Sequence, residues 1–358
     1  MTNEIDNSQF LLIRADASIR MGTGHVMRCL GLAQAWQDRG GRVAFAIAQC
    51  APGLDARLRA ESVEVVSLSV EPGGDADARA TVDAASVRGA KWVATDGYQF
   101  DAAYHKAIKT LGMSLLALDD FAALEHYWAD IVLNQDPIAV ERSYERREPS
   151  AQLLLGTQYT FLRREFRKYA RPLRQVPAVA RRLLVTLGGS DPDNFTEKLM
   201  EGLNAVDVAG METIVLVGPS NPHGERLEAA VACRGNIRVL RNPPNIPELM
   251  AWCDLAITAG GSTLWELAYM RVPILVLVIA ENQRLVSQWL HDHAACRLLG
   301  DGDDLATDAL AKAVRELACD APSRAALADR LAGMVDGQGA DRVCRAMCDR
   351  AAELEACV

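Results

Sequence analysis

The sequence predicts an α/β protein of two doubly wound, Rossmann-like domains in tandem, with a cleft between them. Three observations carry this. Short apolar, β-branched runs alternate with longer stretches of helical periodicity. The alternation breaks in a basic, Pro-containing stretch and then starts again. The chain of 358 residues, half of them apolar, has room for two ordinary cores.

In the first half, strands are expected at Phe10–Ala15, Arg42–Ile47, Val63–Leu68, Lys91–Thr95, Met113–Leu118 and Asp130–Leu133. Helices are expected at His25–Asp38, Asp75–Val87 and Ala102–Leu111. In the second half, the strands are Leu183–Leu187, Thr213–Val217, Ile237–Leu240, Leu255–Thr258 and Ile274–Val278. The helices there are Phe195–Val206, Gly224–Ala232, Pro247–Trp252 and Thr263–Tyr269. The join lies in Tyr169–Ala180, which holds Pro172 and Pro177. The expected division is residues 1–170, a linker at 171–180, a second domain at 181–335 and a helical tail at 336–358. Ligands of such sheets bind outside the carboxyl ends of the strands, so chemistry is sought just after each strand.

Composition excludes some functions. A net charge of −9 argues against nucleic acid as a partner, because phosphate backbones need a basic surface. A phosphate-bearing small molecule is still compatible, since local backbone N–H groups suffice to hold it. Met1–Asp6 has neither a basic nor an apolar region, so no secretory signal is expected. The longest apolar run, Ile274–Ala280, is too short to span a bilayer. The nine scattered cysteines then read as free thiols, and a cytoplasmic location with no membrane partner is expected.

Two glycine motifs stand at strand ends. The first is Gly22-Thr23-Gly24-His25-Val26-Met27-Arg28. Val26, Cys29, Leu30, Ala33 and Trp36 would face the sheet, with His25 and Arg28 one turn apart on another face. A neutral imidazole at a helix start can take a proton from water near neutral pH. The alternative is a histidine that bonds only its own loop. The second motif is Ala259-Gly260-Gly261-Ser262-Thr263-Leu264-Trp265-Glu266. Its helix start would favour an anion such as a pyrophosphate. Glu266 could accept from ribose hydroxyls, or close a capping box with Thr263.

Further candidates follow other strands. Gly188-Gly189-Ser190-Asp191 could clamp a nucleotide, or form a polar turn with Asn194 as helix cap. Gly218 ends the next strand, and Glu281-Asn282-Gln283 offers carboxamides to sugar groups. Thr95-Asp96-Gly97-Tyr98 and Asp119-Asp120 place carboxylates where they could tune a base or hold a metal. One of each pair could instead only cap the next segment. No ligand spacing specifies a metal.

Together these motifs resemble the family that hydrolyses UDP-2,4-diacetamido-2,4,6-trideoxy-β-L-altropyranose in pseudaminic acid biosynthesis, and its spore-coat polysaccharide relatives. Matching stretches are Arg14–Asp16, Gly22–Leu30, Thr95–Tyr98, Leu118–Asp120, Leu155–Tyr159 with Leu162–Phe166, Gly188–Pro192, Ala259–Glu266 and Glu281–Gln283. The match departs at the loop tip, where Arg20 and Met21 stand in place of smaller or acidic residues, and at Gly260. The resemblance implies a GT-B fold, a UDP-sugar substrate, no cofactor and no required metal. It gives His25 the role of the base that activates water. It places UDP around Gly218, Gly261, Ser262, Thr263 and Glu266, and the sugar near His25, Asp16, Tyr98, Arg163 and Asn282. Gly24, Arg28, Gly189, Ser190 and Gln283 complete the expected binding set. Three rivals remain at this point: a GT-B glycosyltransferase, a non-hydrolysing epimerase and a catalytically inactive sugar-nucleotide binder.

Overall fold

The computed structural model describes residues 9–169 and 175–356. They form two compact units. The first takes the chain through Ser18, then His25–Arg164 and the segment from Gly337 on. The second takes Ile19–Gly24 and Glu165–Asp336. The expected linker at 171–180 falls partly outside the described residues.

The first unit runs β1 (Phe10–Ala15), α1 (Gly24–Asp38), β2 (Arg42–Ile47), α2 (Leu54–Ala60), β3 (Glu64–Ser67), α3 (Asp75–Val87), β4 (Trp92–Asp96), α4 (Ala102–Thr110), β5 (Ser114–Leu118), β6 (Ile131–Asn134) and β7 (Gln152–Leu155). A short α5 (Arg164–Arg167) follows. The second runs β8 (Arg182–Thr186), α6 (Phe195–Leu203), β9 (Glu212–Val217), α7 (Gly224–Val231), β10 (Ile237–Arg241), α8 (Ile246–Trp252), β11 (Leu255–Ala259), α9 (Thr263–Tyr269), β12 (Ile274–Val278), α10 (Arg284–Asp292), β13 (Arg297–Asp301), α11 (Thr307–Cys319) and α12 (Ala321–Ala332). The chain ends its described part in α13 (Gly339–Ala356).

Both sheets are parallel. Their orders are β3-β2-β1-β4-β5-β6-β7 and β10-β9-β8-β11-β12-β13. Each order reverses beside its first strand, between β1 and β4 and again between β8 and β11. That reversal opens a crevice at the strand carboxyl ends, where loops leave to opposite sides. Two edge strands, β7 and β13, are additions to the sequence-based expectation. Both are short. β13 is half-buried, carries Gly300 in the left-handed region and pairs through a bulge, so it lacks the solid apolar run of a central strand.

Strand alternation builds the core. Leu11, Ile13 and Ala15 face one side with Val26, Leu30 and Trp36 of α1. Phe10 and Leu12 face the other with Ala78 and Val82 of α3 and Tyr104 and Ile108 of α4. The tail expected at 336–358 is not an appendage. Val343, Cys344 and Met347 of α13 are fully buried in the same cluster as α1. Helix α1 is therefore covered on several faces, and Gly31 is required because a side chain there would press on the backbone of Leu162.

A buried ion network locks the base of the loop after β1. Arg14 donates to both oxygens of Asp77 at 2.9 Å and to Asp16 at 2.8 Å, and all three side chains are sealed from solvent. Asp16 also accepts from the backbone N–H of Ala48 at 2.7 Å and Gln49 at 2.9 Å. The end of β1 is thereby clipped to the end of β2.

If α13 belongs to this core, Met347→Ala should destabilise the protein by about 2–5 kcal/mol, as for large-to-small core changes. Denaturant unfolding followed by the fluorescence of buried Trp36 and Trp92 measures it. A loss of under about 0.5 kcal/mol, the level of ordinary surface changes, would show α13 to be peripheral.

Candidate active site

The first sheet's carboxyl edge gathers one cluster. His25 is the second residue of α1, and Asp96 is the last of β4, next to Ala15 of β1 in register. The loop after β1 thus delivers His25 to the end of the neighbouring strand. His25 Nδ1 lies 2.7 Å from Asp96 Oδ1. Arg28, one turn later, donates to Asp96 from Nε at 2.6 Å and from its terminal nitrogen at 2.7 Å. The Cys29 thiol adds a contact at 3.3 Å. Burial alone would raise the Asp96 pKa. Arg28 and then His25 outweigh it and hold the carboxyl well below the usual carboxylate range.

This charge state settles the tautomer. An ionised carboxylate can only accept, so Nδ1 of His25 must carry the proton. In the neutral ring the lone pair is then on Nε2, which makes no protein hydrogen bond among the described residues. The ring is 8% exposed. The arrangement is an imidazole with an orienting carboxylate, the geometry that the second half of a catalytic triad also has.

Arg28 also grips Asp120, beyond β5, at 2.7 Å and 3.2 Å. Asp120 in turn accepts from the Tyr98 hydroxyl at 2.9 Å. One guanidinium therefore orients both the carboxylate behind His25 and the carboxylate behind Tyr98. The Tyr98 ring stands edge-on to His25, with centroids 4.8 Å apart. Asp119 has the structural half of the pair. It accepts from the Ala122 N–H at 2.7 Å and from the hydroxyls of Tyr144 at 2.8 Å and Tyr127 at 3.1 Å.

Several expected residues are placed differently. Asp16 does not face a ligand. It is fully buried and bonded to Arg14, Gln99, Ala48 and Gln49. Arg28 is committed to two carboxylates, which makes it a positioning group. Arg163 lies half-buried in the segment that packs on α1. The sequence offers Asp96 and Asp120 as carboxylates that could tune a base, without pairing them with His25 and Tyr98, and it does not single out Asp136. Asp136 lies two residues beyond β6, half-buried and without a side-chain hydrogen bond among the described residues. Burial, followed by the negative charge of Asp120, pushes its carboxyl up to about 7. A signal is present for all three: each is a carboxylate at or just past the carboxyl end of a strand of a parallel sheet.

In the second unit, the loop after β11 ends in α9. The N-cap is Ser262, without a side-chain cap, so Thr263 sits inside the helix and the expected capping box does not form with Thr263 as cap. The amides of Gly261 and Ser262 have no protein acceptor among the described residues, and the space before Gly261 is open. These are donors for an anion. Gln283 is not free for a ligand in the way expected. Its carbonyl oxygen accepts from Ile279 N–H at 3.1 Å and Gly260 N–H at 3.3 Å. Gly260 is itself required, because a side chain would meet Ser287 and Gln283. Asn282 is exposed beside it. Gly218 has a backbone reason too: a Cβ there would overlap the Gly189 backbone. Asn194 occupies the N-cap of α6, but Asp191 caps it, accepting from Phe195 N–H at 2.9 Å and Thr196 N–H at 2.8 Å.

Two parallel-sheet units with these loops define a protein of the GT-B fold, as its solved neighbours do. MurG of Acinetobacter baumannii superposes with a TM-score of 0.62 at 16% identity, over 94% of this chain and 97% of that one. The spinosyn rhamnosyltransferase SpnG gives 0.62 at 16% identity, over 94% and 99%. Residues 183–342 match the glycosyltransferase family 28 C-terminal domain. Among curated relatives, an uncharacterized Methanocaldococcus jannaschii protein is 27% identical over 76% of this chain and 56% of its own length. The Bacillus subtilis spore coat polysaccharide biosynthesis protein SpsG is 29% identical over 46% of this chain and 48% of its own length. The chain thus spans about half the length of these two. The Campylobacter jejuni UDP-2,4-diacetamido-2,4,6-trideoxy-β-L-altropyranose hydrolase is 24% identical over 78% of this chain and 95% of its own. The resemblance expected from the motifs is borne out by these relatives.

The raised pKa of Asp136 has a signed consequence. The native group keeps a proton that the unfolded chain loses near its ordinary value of about 4, so native stability falls as pH rises from about 4 to about 7 and then levels. The stability of Asp136→Asn relative to wild type should therefore climb across that window and stay flat above it. Urea midpoints at pH 4, 7 and 8.5 check this, and a pH-independent difference would contradict it.

Proposed function

We propose that this chain hydrolyses a UDP-linked diacetamido-trideoxy sugar to UDP and the free sugar, in pseudaminic acid-type nonulosonate biosynthesis. The observation that carries the chemistry is the 2.7 Å bond between His25 Nδ1 and a carboxylate held ionised by Arg28. The name of the Campylobacter jejuni relative supplies the substrate class.

Nε2 of His25 accepts a proton from water as the water oxygen bonds to the anomeric carbon. The C1–O bond to UDP breaks through an oxocarbenium-like state, and UDP leaves with the bonding electrons. Direct attack without a covalent intermediate inverts the anomeric centre. Asp96 stabilises the imidazolium as it forms. In the second unit, the amides before α9 receive the leaving diphosphate, with Gly218, Thr263 and Glu266 on the nucleoside side and Ser190 and Asn282 completing the binding set. No metal has a role in this reading.

A second reading has its own support. The family 28 match and the glycosyltransferase neighbours fit a GT-B enzyme that passes the sugar to an acceptor.

One assay separates them: UDP and free-sugar release followed by NMR, without acceptor and with chelator. Release in water is expected. His25→Ala should abolish most of it while UDP binding by calorimetry stays. Asp96→Asn should lower kcat by about 10⁴, the size of effect when an orienting carboxylate is lost and the imidazole takes the wrong tautomer. Turnover that survives His25→Ala removes the base. Release only after acceptor is added makes the protein a glycosyltransferase.

A further inference from the structure

One carboxyl at this edge serves neither the proton transfer nor the loops. Asp136 lies two residues past β6, the strand next to β5. It heads the turn Asp136-Pro137-Ile138-Ala139, which closes with the Ala139 N–H on the Asp136 carbonyl at 3.1 Å. An aspartate at the head of such a turn ordinarily spends its carboxylate on the turn's own N–H groups. Here the half-buried side chain makes no hydrogen bond among the described residues. The backbone beneath it is nevertheless fixed. The Asp136 N–H donates to the Asn134 side-chain carbonyl at 2.8 Å, Asn134 donates to the Tyr144 hydroxyl at 2.7 Å, and that hydroxyl donates to Asp119 at 2.8 Å. Asn134 and Tyr144 are themselves buried.

A polar side chain held in place, half-buried and unbonded, forfeits energy that a ligand can return. The charges that face Asp136 come from two elements. Burial and then Asp120, in the loop after β5, push its carboxyl up to about 7; Arg28 of α1 opposes them and Asp119 adds to them. Arg28 and Asp120 are the groups that hold Asp96 and Tyr98, so Asp136 belongs to the cluster around His25. A protonated carboxyl can donate, whereas an ionised one can only accept.

We propose that Asp136 is a substrate-binding residue whose carboxyl donates a hydrogen bond to an uncharged acceptor of the sugar, the carbonyl oxygen of an acylamino group. This rests on the hydrolytic reading above. The surroundings select the partner. An anionic group would meet the negative charge of Asp120. An ammonium group has no lone pair with which to accept, and a hydroxyl is donor as well as acceptor. An amide carbonyl is an acceptor alone, with two lone pairs. Loss of the proton turns Asp136 from a donor into a second anion beside Asp120. Substrate affinity is therefore present at low pH and falls as pH rises through about 7. The chemical step at His25 does not pass through Asp136, so the effect lies in KM.

The test follows UDP release from the diacetamido donor between pH 6 and pH 8.5, with wild type, Asp136→Asn and Asp136→Ala. The asparagine keeps a donor that does not titrate. The ratio of wild-type KM to Asp136→Asn KM should rise about tenfold for each pH unit above 7, while the ratio of kcat values stays level. Asp136→Ala should raise KM about tenfold at pH 6, the upper end of what one neutral hydrogen bond contributes. It should change KM little for a donor with hydroxyls in place of the acylamino groups. A KM ratio that is flat with pH, or an equal loss with both donors, overturns the proposal. If wild type releases no UDP, hydrolysis itself fails, and calorimetric binding of the diacetamido sugar nucleotide to the same proteins decides Asp136 separately. Binding that weakens above pH 7 in wild type and not in Asp136→Asn supports it. Parallel profiles, or no binding by wild type at any pH, overturn it.

Discussion

The carboxyl edge of the first unit's sheet depends on a single half-buried guanidinium. Arg28 reaches two carboxylates at the ends of two adjacent strands, Asp96 as the last residue of β4 and Asp120 just beyond β5. Burial by itself would make Asp96 resist ionisation. With Arg28 between them, Asp96 stays ionised and sets the His25 tautomer, while Asp120 fixes Tyr98. A lysine could not serve both, because a point charge on a flexible stem lacks the planar fork that makes two bidentate contacts.

The fold makes this possible through its sheet order. In a parallel doubly wound sheet, every strand carries its carboxyl end to the same edge. The reversal between β1 and β4 brings the first loop, with His25, against the strand that ends in Asp96. The second unit repeats the device between β8 and β11, and there the loops present amides instead of carboxylates. The two edges have different chemistry because their loops differ, on sheets of the same layout.

Around these edges, polar groups hold the loops. Asp16 bridges β1 to β2, Asp119 organises the turn after β5, Asp191 caps α6, and Gln283 secures the approach to Gly260. From sequence, Asp16 and Gln283 are expected at a ligand, while Asp119 and Asp191 stand in motifs open to a ligand or to a turn. Each instead satisfies backbone N–H groups that the loop would otherwise leave buried without partners. Fewer groups lack a protein partner among the described residues: the Nε2 of His25, the Gly261 and Ser262 amides and the Asp136 carboxyl.

The sequence by itself determined the α/β class, the two sheets and the strand ends where chemistry gathers, because periodicity and glycine placement are local properties. It marked His25 and the Gly261–Thr263 turn for the same reason. Tertiary structure alone decided which residues meet. Asp96 is 71 positions from His25 and Asp120 is 92 from Arg28, so only the strand order pairs them. It also decided that the last helix completes the first core, since Met347 shares its cluster with residues of α1 and β1, at the other end of the chain. And it separated Asp16, sealed by Arg14, from Asp136, whose carboxyl has no hydrogen bond among the described residues, although both are carboxylates just past a strand: burial and partners, not residue type, set what a carboxylate can do.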